Sequence, residues 1–424
     1  MKTIILGGGL AGLSFAYFLN EKSIILEKEE RLGGLCRSFA FKDIMYDIGP
    51  HIIFSKDEET LNFLTSSVEC NKYRRSNKIF FKGRFIKYPF ENELSALSKQ
   101  DRDYCLNTFL NNPNKGMKAK NMLDFFTNTF GKGITDLYLK PYNKKIWKYD
   151  PEHMDTQMVE RIPIPPDEDI IKSAEGIATE GYIHQLDFYY PKKNGIQDLI
   201  SSLAKKINLK AEIYNNIKIN RIIKKDNWII ETNHGNFKSD RIINCMPLHE
   251  LFKYLERTPN EIKKTLSKLE YNSIYIVILN ILEDNLENNF AVMVPDQNII
   301  FHRVSKLNFL DDSHKTSYLM AEVTFREGDH YSKMSKEEII KNVVDDLEKL
   351  NFINKKNVIS TDLQKIKYAY VIYTLDHKKN ISKIMNYLNR IGILCCGRFA
   401  EFKYLNMDGV IKHSKDLAEK VNKS

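Results

Sequence analysis

The opening stretch MKTIILGGGLAGLSFAYFLNEKSIILEKEERLGG constrains the fold more than any other part of the chain. Thr3 to Leu6 is an apolar run of the kind that forms a buried parallel strand. Gly7, Gly9 and Gly12 follow at the spacing of a dinucleotide turn. One glycine allows the sharp bend, one lets a pyrophosphate approach the backbone, and one lets helix and strand pack closely. The helix that starts there directs unpaired N–H groups and its positive dipole end at phosphates. A second strand, Ser23 to Leu26, ends at Glu27, about twenty residues past Gly7, where an acid accepts from a ribose 2′-hydroxyl and disfavours a 2′-phosphate. A glycine triad alone is often an ordinary turn, but the five elements in order read as a dinucleotide site that does not take NADP.

Arg31-Leu32-Gly33-Gly34 comes directly afterwards. This segment resembles the two-glycine FAD motif of the amine oxidase and protoporphyrinogen oxidase class, which implies FAD as the cofactor and adds Arg31 and Gly34 to its site.

The rest of the chain fits a large flavoprotein. With 424 residues there is room for two or three domains, and 42% hydrophobic content fills sizeable cores. The apolar opening has no small-residue cleavage site and is explained by the glycine turn rather than by a secretory signal. No run of about 18 to 20 apolar residues predicts a membrane span. The six cysteines show no Cys-x-x-Cys spacing, which suits a reduced, cytoplasmic setting and no metal site. The net charge of +9 comes from lysines scattered through polar segments, the pattern of a solvated surface rather than a nucleic-acid interface.

Periodicity predicts an α/β fold: a Rossmann-type domain (1–70, 190–262 and 385–424), an inserted helical domain (92–182), and a mostly antiparallel β-sheet domain (71–91 and 263–384). Resemblance to known flavoproteins implies that the first is FAD-binding and the second substrate-binding. Pro163, Pro165 and Pro166 are expected to end the helical part. Residues 190–247 are expected to alternate strand and helix. Strands are expected at Asn272 to Ile281, Ile299 to Ser305, Ser317 to Phe325, Lys365 to Thr374 and Gly392 to Cys396, with a helix from about Asp408.

A more specific pattern runs through Tyr46-Asp-Ile-Gly-Pro-His-Ile-Ile-Phe-Ser, Lys82-Gly-Arg-Phe-Ile-Lys-Tyr-Pro-Phe-Glu-Asn, Lys140-Pro-Tyr-Asn-Lys-Lys-Ile-Trp, Glu160-Arg-Ile-Pro, Phe301-His-Arg, Tyr370-Val-Ile-Tyr and Gly397-Arg-Phe-Ala-Glu-Phe-Lys-Tyr-Leu-Asn-Met-Asp. In order and spacing it resembles the UDP-galactopyranose mutases, flavoenzymes that interconvert pyranose and furanose forms of a nucleotide sugar. The resemblance implies an isomerase whose reduced flavin attacks the anomeric carbon through N5. It also implies an external electron donor, a UDP-linked sugar as substrate, and an oligomeric state left open. Matched positions make Arg161, Arg303 and Arg398 the grip on the diphosphate, for which guanidinium forks suit better than lysine. Tyr142 and Trp147 would sandwich the uracil, with helix core packing as the plain alternative. Tyr370 and Tyr404 would donate near the phosphates, with Asn406 beside them. His51, in Gly-Pro-His, would lie along the flavin, and Gly397 and Asp408 would border it where the last helix starts.

Three departures stand out: Glu91 where eukaryotic relatives have Gln, the segment from Ile183 that replaces the usual Gly-Pro-Asn beginning, and Met293 where an aromatic is common. They leave the sugar open. Two other readings remain: an FAD-dependent oxidase or dehydrogenase of the protoporphyrinogen or amine oxidase type, and a non-catalytic nucleotide-sugar-binding or flavin-binding protein.

Overall fold

The structure is a computed structural model that describes residues 2–159, 162, 164–180 and 186–423. The chain forms two compact units, Met1–Lys72 with Phe188–Glu270 and Asp376–Ser424, and Tyr73–Asp187 with Tyr271–Leu375.

The first unit is built on a five-stranded parallel sheet, in the order Ile393–Cys395, Arg241–Asn244, Thr3–Leu6, Ser23–Leu26, Ala211–Tyr214. The central strands are β-branched and buried end to end, as a sheet covered on both faces requires. Helices Leu10–Phe18, Gln197–Lys206 and Met407–Asn422 share one apolar core with the sheet, including Ile5, Leu13, Ile25, Leu199, Ile243 and Ile411. The first and last of these run parallel. Ser414 Oγ donates to the Ala11 carbonyl (3.3 Å) near their starts, and Asn422 Nδ2 to the Phe18 carbonyl (3.0 Å) at their ends. Both helix N-termini therefore open at the same end of the sheet.

Residues 190–247 do not simply alternate strand and helix. Strands Ile219–Lys224, Trp228–Thr232 and Gly235–Ser239 form a separate antiparallel sheet before the parallel strand Arg241–Asn244. Gly392 is not in a strand: it caps helix His377–Ile391 in the left-handed region (φ 85°), and the strand is Ile393–Cys395.

The second unit holds a seven-stranded sheet in the order Val358–Ile372, Glu270–Ile281, Ser317–Phe325, Arg303–Lys306, Ala291–Met293, Asn77–Phe81, Arg84–Lys87. Its ladders are mostly antiparallel, with Ala291–Met293 and Asn77–Phe81 parallel. Helix Lys336–Lys349 starts at a Ser335/Glu338 capping box and buries Ile339, Val343 and Leu347 in the same core as this sheet. Ile299 to His302 are not strand; Ile299 N–H closes a turn onto the Asp296 carbonyl (3.3 Å).

The helical segment of this unit contains Lys99–Leu110, Met122–Ile134, Lys140–Trp147 and Asp167–Ala174. The two longest cross at Gly131 and Gly133, where an added Cβ would lie 2.7 Å from the Thr108 carbonyl oxygen and 2.6 Å from Cys105 Cα. Pro163 lies outside the described residues, and Pro165 and Pro166 do not end the helical part, because a further helix follows them. Pro166 stands at the N-cap of Asp167–Ala174, where a fixed φ suits a helix start.

Candidate active site

In the first unit the glycine turn is closely fitted. Gly7 has φ 108°, and a Cβ on Gly12 would meet its carbonyl oxygen at 2.1 Å, so helix and strand touch backbone to backbone. Gly33 N–H donates to the Gly8 carbonyl (2.9 Å), and Gly9 and Gly33 form a parallel bridge. The second glycine pair thus runs alongside the first. Glu27, 6% exposed, accepts from Gly8 N–H (2.7 Å) on one oxygen and from Glu29 N–H (2.9 Å) on the other. Each oxygen keeps a lone pair for a ribose hydroxyl. Side-chain-free backbone at a helix N-terminus, closed by a carboxylate at the next strand end, fits the adenosine and pyrophosphate of a dinucleotide.

Arg31 is exposed. Arg37, which sequence reasoning missed, is the arginine tied to the glycine pair: its Nε donates to the Gly34 carbonyl (3.0 Å), and Nη1 lies 3.6 Å from Glu29. Its only signal was its place three residues after Gly34.

His51 follows Gly49 (φ 73°), whose carbonyl lies 3.1 Å from His51 Nδ1. A carbonyl only accepts, so the proton sits on Nδ1. The loop is held from beneath by Asp47, also missed, which is 2% exposed. Asp47 accepts from Ser38 Oγ (2.6 Å), Tyr190 OH (2.8 Å), Ile196 N–H (3.1 Å) and the His51 backbone N–H. Burial pushes its carboxyl up to about 6 despite these bonds.

After the strand Ile393–Cys395, Gly397 (φ 106°) passes so close to the glycine-turn helix that a Cβ would lie 2.6 Å from that of Ala11. Arg398 lies 4.2 Å from the centre of the Tyr404 ring, and its Nη1 donates to the Leu405 carbonyl (3.3 Å). Asn406 is the exposed N-cap of the last helix. Asp408, in its first turn, accepts from Ser55 Oγ (3.0 Å).

In the second unit Arg303 makes a two-pronged pair with the fully buried Glu322, Nε to Oε1 at 2.6 Å and Nη2 to Oε2 at 2.8 Å. Burial opposes the guanidinium charge, but Glu322, with Tyr370 and Tyr142, keeps it firmly protonated. Arg75 lies near enough for the two cations to repel. His302, whose ring lies 6.5 Å from that of Tyr142, is 1% exposed; burial and the nearby Arg303, Lys145 and Lys148 hold it neutral.

Tyr142 stacks on Tyr138 (5.2 Å), which stacks on Phe90 (4.9 Å). Burial pushes its hydroxyl pKa up, so it remains a donor. Trp147 has other neighbours: its indole donates to Asn143 Oδ1 (2.8 Å) and it meets Tyr370 edge-on at 5.6 Å. Glu91 follows Phe90 in this ladder, and burial raises its carboxyl to about 7. Met293 pairs with Arg303 in register. Arg161 and Ile183 to Gln185 lie outside the described residues. Among the described residues there is no group of His, Cys, Asp and Glu able to hold a metal, and no helix long and apolar enough to cross a membrane.

A parallel sheet with this double glycine crossing and acidic strand end defines a Rossmann-type flavoprotein. The profile of the flavin containing amine oxidoreductases matches residues 10–421, and the chain belongs to that family, with FAD as its cofactor. It is similar to the UDP-galactopyranose mutase of Mycoplasma genitalium, 21% identical over 276 residues, which is 59% of this chain and 62% of that protein. The match thus spans less than two thirds of that relative's length. A solved structure of reduced UDP-galactopyranose mutase superposes with a TM-score of 0.91 at 23% identity, covering 99% of this chain and 93% of the other. A putative protoporphyrinogen oxidase from Exiguobacterium sp. 255-15 superposes with a TM-score of 0.77 at 16% identity, covering 99% and 98%. At these identities the likeness is one of fold.

Proposed function

We propose that this flavoenzyme is an isomerase that interconverts the pyranose and furanose forms of a nucleotide sugar, UDP-galactopyranose and UDP-galactofuranose or a close relative. The observation that carries the reading is the polar cluster of the second unit, where Arg303 and Arg75 lie among Tyr88, Tyr142 and Tyr370. Two guanidiniums and neutral hydroxyl donors suit a diphosphate. A site for a protonated amine gains nothing from two guanidiniums, which would repel it.

FAD, when bound and reduced, supplies a nucleophilic N5 for the anomeric carbon. The chain's own residues position and neutralise. In the second unit Arg303 offers the guanidinium edge that Glu322 does not occupy, with Arg75 as the second cation near it; Arg398, in the first unit, is read as a phosphate contact from the family resemblance alone. Tyr370 and Tyr404 donate without adding charge. Tyr142 supplies a ring for the base, and the N-terminus of the Met407–Asn422 helix offers N–H groups to an anionic cofactor edge. His51, its Nδ1 held by the Gly49 carbonyl, presents its imidazole to the same cofactor.

The test is to incubate dithionite-reduced holoprotein with UDP-galactofuranose and follow the pyranose by chromatography, with oxidised protein as control. Conversion by the reduced form alone supports the isomerase. No conversion, together with bleaching of oxidised flavin by an amine or a porphyrinogen, would replace it with an oxidase.

A further inference from the structure

The loop that carries Arg398 is fastened by a carboxylate and an imidazole that nothing in the reaction itself calls for. Glu401 N–H donates to the Gly397 carbonyl (2.8 Å), while Glu401 Oε2 accepts from Gly397 N–H (3.0 Å). One residue thus closes the turn with both its backbone and its side chain. The chain then passes through Phe402, which is fully buried at φ 52° against His249 and Phe399. A left-handed phenylalanine is costly, so the surrounding packing must impose this shape. Lys403 N–H next returns to the Arg398 carbonyl (2.9 Å), and Lys403 Nζ reaches Glu401 Oε1 (3.3 Å).

His413, two turns into the Met407–Asn422 helix, completes the assembly. Its Nδ1 lies 2.9 and 3.1 Å from the two Glu401 oxygens. Burial alone would raise the Glu401 carboxyl, but the bonds from His413 and Gly397 hold it below the usual carboxylate range, so it stays an acceptor. Arg398 itself is steered by the Leu405 carbonyl and the Tyr404 ring, both within the same loop. The Glu401–His413 contact is thus a side-chain tie between the base of this loop and the helix that follows it.

We propose that Glu401 and His413 are positioning residues that set the aim of the Arg398 guanidinium and link it to the helix Met407–Asn422. The inference rests on the reading above that Arg398 contacts the diphosphate. It makes the grip of Arg398 on an anionic ligand depend on a carboxylate that never touches that ligand.

A double-mutant cycle on FAD-loaded protein, with UDP as the probe in calorimetry, tests this. Arg398→Ala is expected to weaken UDP binding roughly 10-fold or more. Glu401→Ala is expected to weaken it by about 10-fold in the wild-type background and by less than about 2-fold when Arg398 is already Ala. Glu401→Gln, which keeps an acceptor for Gly397 N–H, should restore most of the loss. FAD occupancy should be unchanged throughout. His413→Ala gives the same readout should Glu401→Ala fail to hold flavin. Full UDP affinity in both Glu401→Ala and His413→Ala overturns the inference while leaving the diphosphate reading intact. So does a loss that persists in the Arg398→Ala background, which would mark a purely structural role. Unchanged binding in Arg398→Ala itself would instead overturn the reading of Arg398.

Discussion

Asp47 sits beneath the His51 loop, a buried carboxylate whose described partners are hydroxyls and backbone N–H groups rather than a cation. Burial raises its pKa from 3.8 to about 6, so the native state holds the proton more tightly than the unfolded chain. The stability gained by protonation is then fully present below the unfolded value and is lost as pH rises through about 6. Two units of pKa correspond to roughly 3 kcal/mol between these limits. Asp47→Asn removes the titration and keeps the shape. Its carbonyl can still accept from Ser38 and Ile196, and the Tyr190 hydroxyl can turn to accept from the new amide. For a cooperative unit of roughly 200 residues, an unfolding entropy near 2 cal/mol/K per residue converts 3 kcal/mol to a Tm shift of about 7 °C. The expected result, by scanning calorimetry with FAD in excess, is a variant-minus-wild-type Tm difference that grows by several degrees between about pH 4.5 and pH 7.5. A difference that stays flat or shrinks over that range would mean that Asp47 titrates as an ordinary carboxylate, and the burial argument would be refuted.

Gly12→Ala should yield protein with little bound FAD, read as the ratio of flavin to protein absorbance, because its Cβ would sit 2.1 Å from the Gly7 carbonyl oxygen. Gly8→Ala should be milder, since its nearest obstacle is the flexible Leu32 side chain. Arg303→Lys should weaken UDP binding by roughly 10-fold or more in calorimetry, because lysine cannot hold Glu322 and a phosphate with one planar fork; unchanged affinity would remove Arg303 from the site. Trp147→Ala should cost about 3 to 5 kcal/mol of stability in denaturant titrations, given its burial against Tyr370 and its bond to Asn143. Tyr142→Ala should act chiefly on UDP affinity, and the reverse pattern would exchange the two roles.

The glycine turn was legible because its constraint is local: Gly7, Gly12, Gly33 and Gly34 are dictated by backbone contacts within a few residues of the strand ends. The parallel strands were legible for a related reason, since full burial on both faces leaves an unbroken apolar run. The antiparallel sheet of 219–239 was not, because short strands with exposed Arg221 and Lys224 give neither a clean alternation nor an apolar run. The prolines misled because the restriction they impose falls on the preceding residue, so the same residue type closes one segment and starts another. Lone acids were the largest omission. Asp47, Glu322 and Glu401 take their meaning from partners such as Ile196, Arg303 and His413, which no spacing rule connects to them.

Those acids change what the basic residues mean. Read as sequence, Arg303 is a positive charge available to a diphosphate. In the fold its Nε–Nη2 edge is already satisfied by Glu322, and the pair is close to neutral as a unit. The cost of burying the guanidinium is thereby met by the protein before any ligand arrives. What remains for a ligand is an oriented donor edge that needs no rotamer search, and preorganisation of that kind raises affinity by lowering the ordering cost rather than by adding attraction. Net attraction for an anion must then come from neighbouring charge. Arg75 is close by, and its own charge is disfavoured, by burial first and by Arg303 as well. An arriving phosphate would relieve that repulsion. The two arginines therefore contribute differently, Arg303 through its fixed direction and Arg75 through the neutralisation it gains.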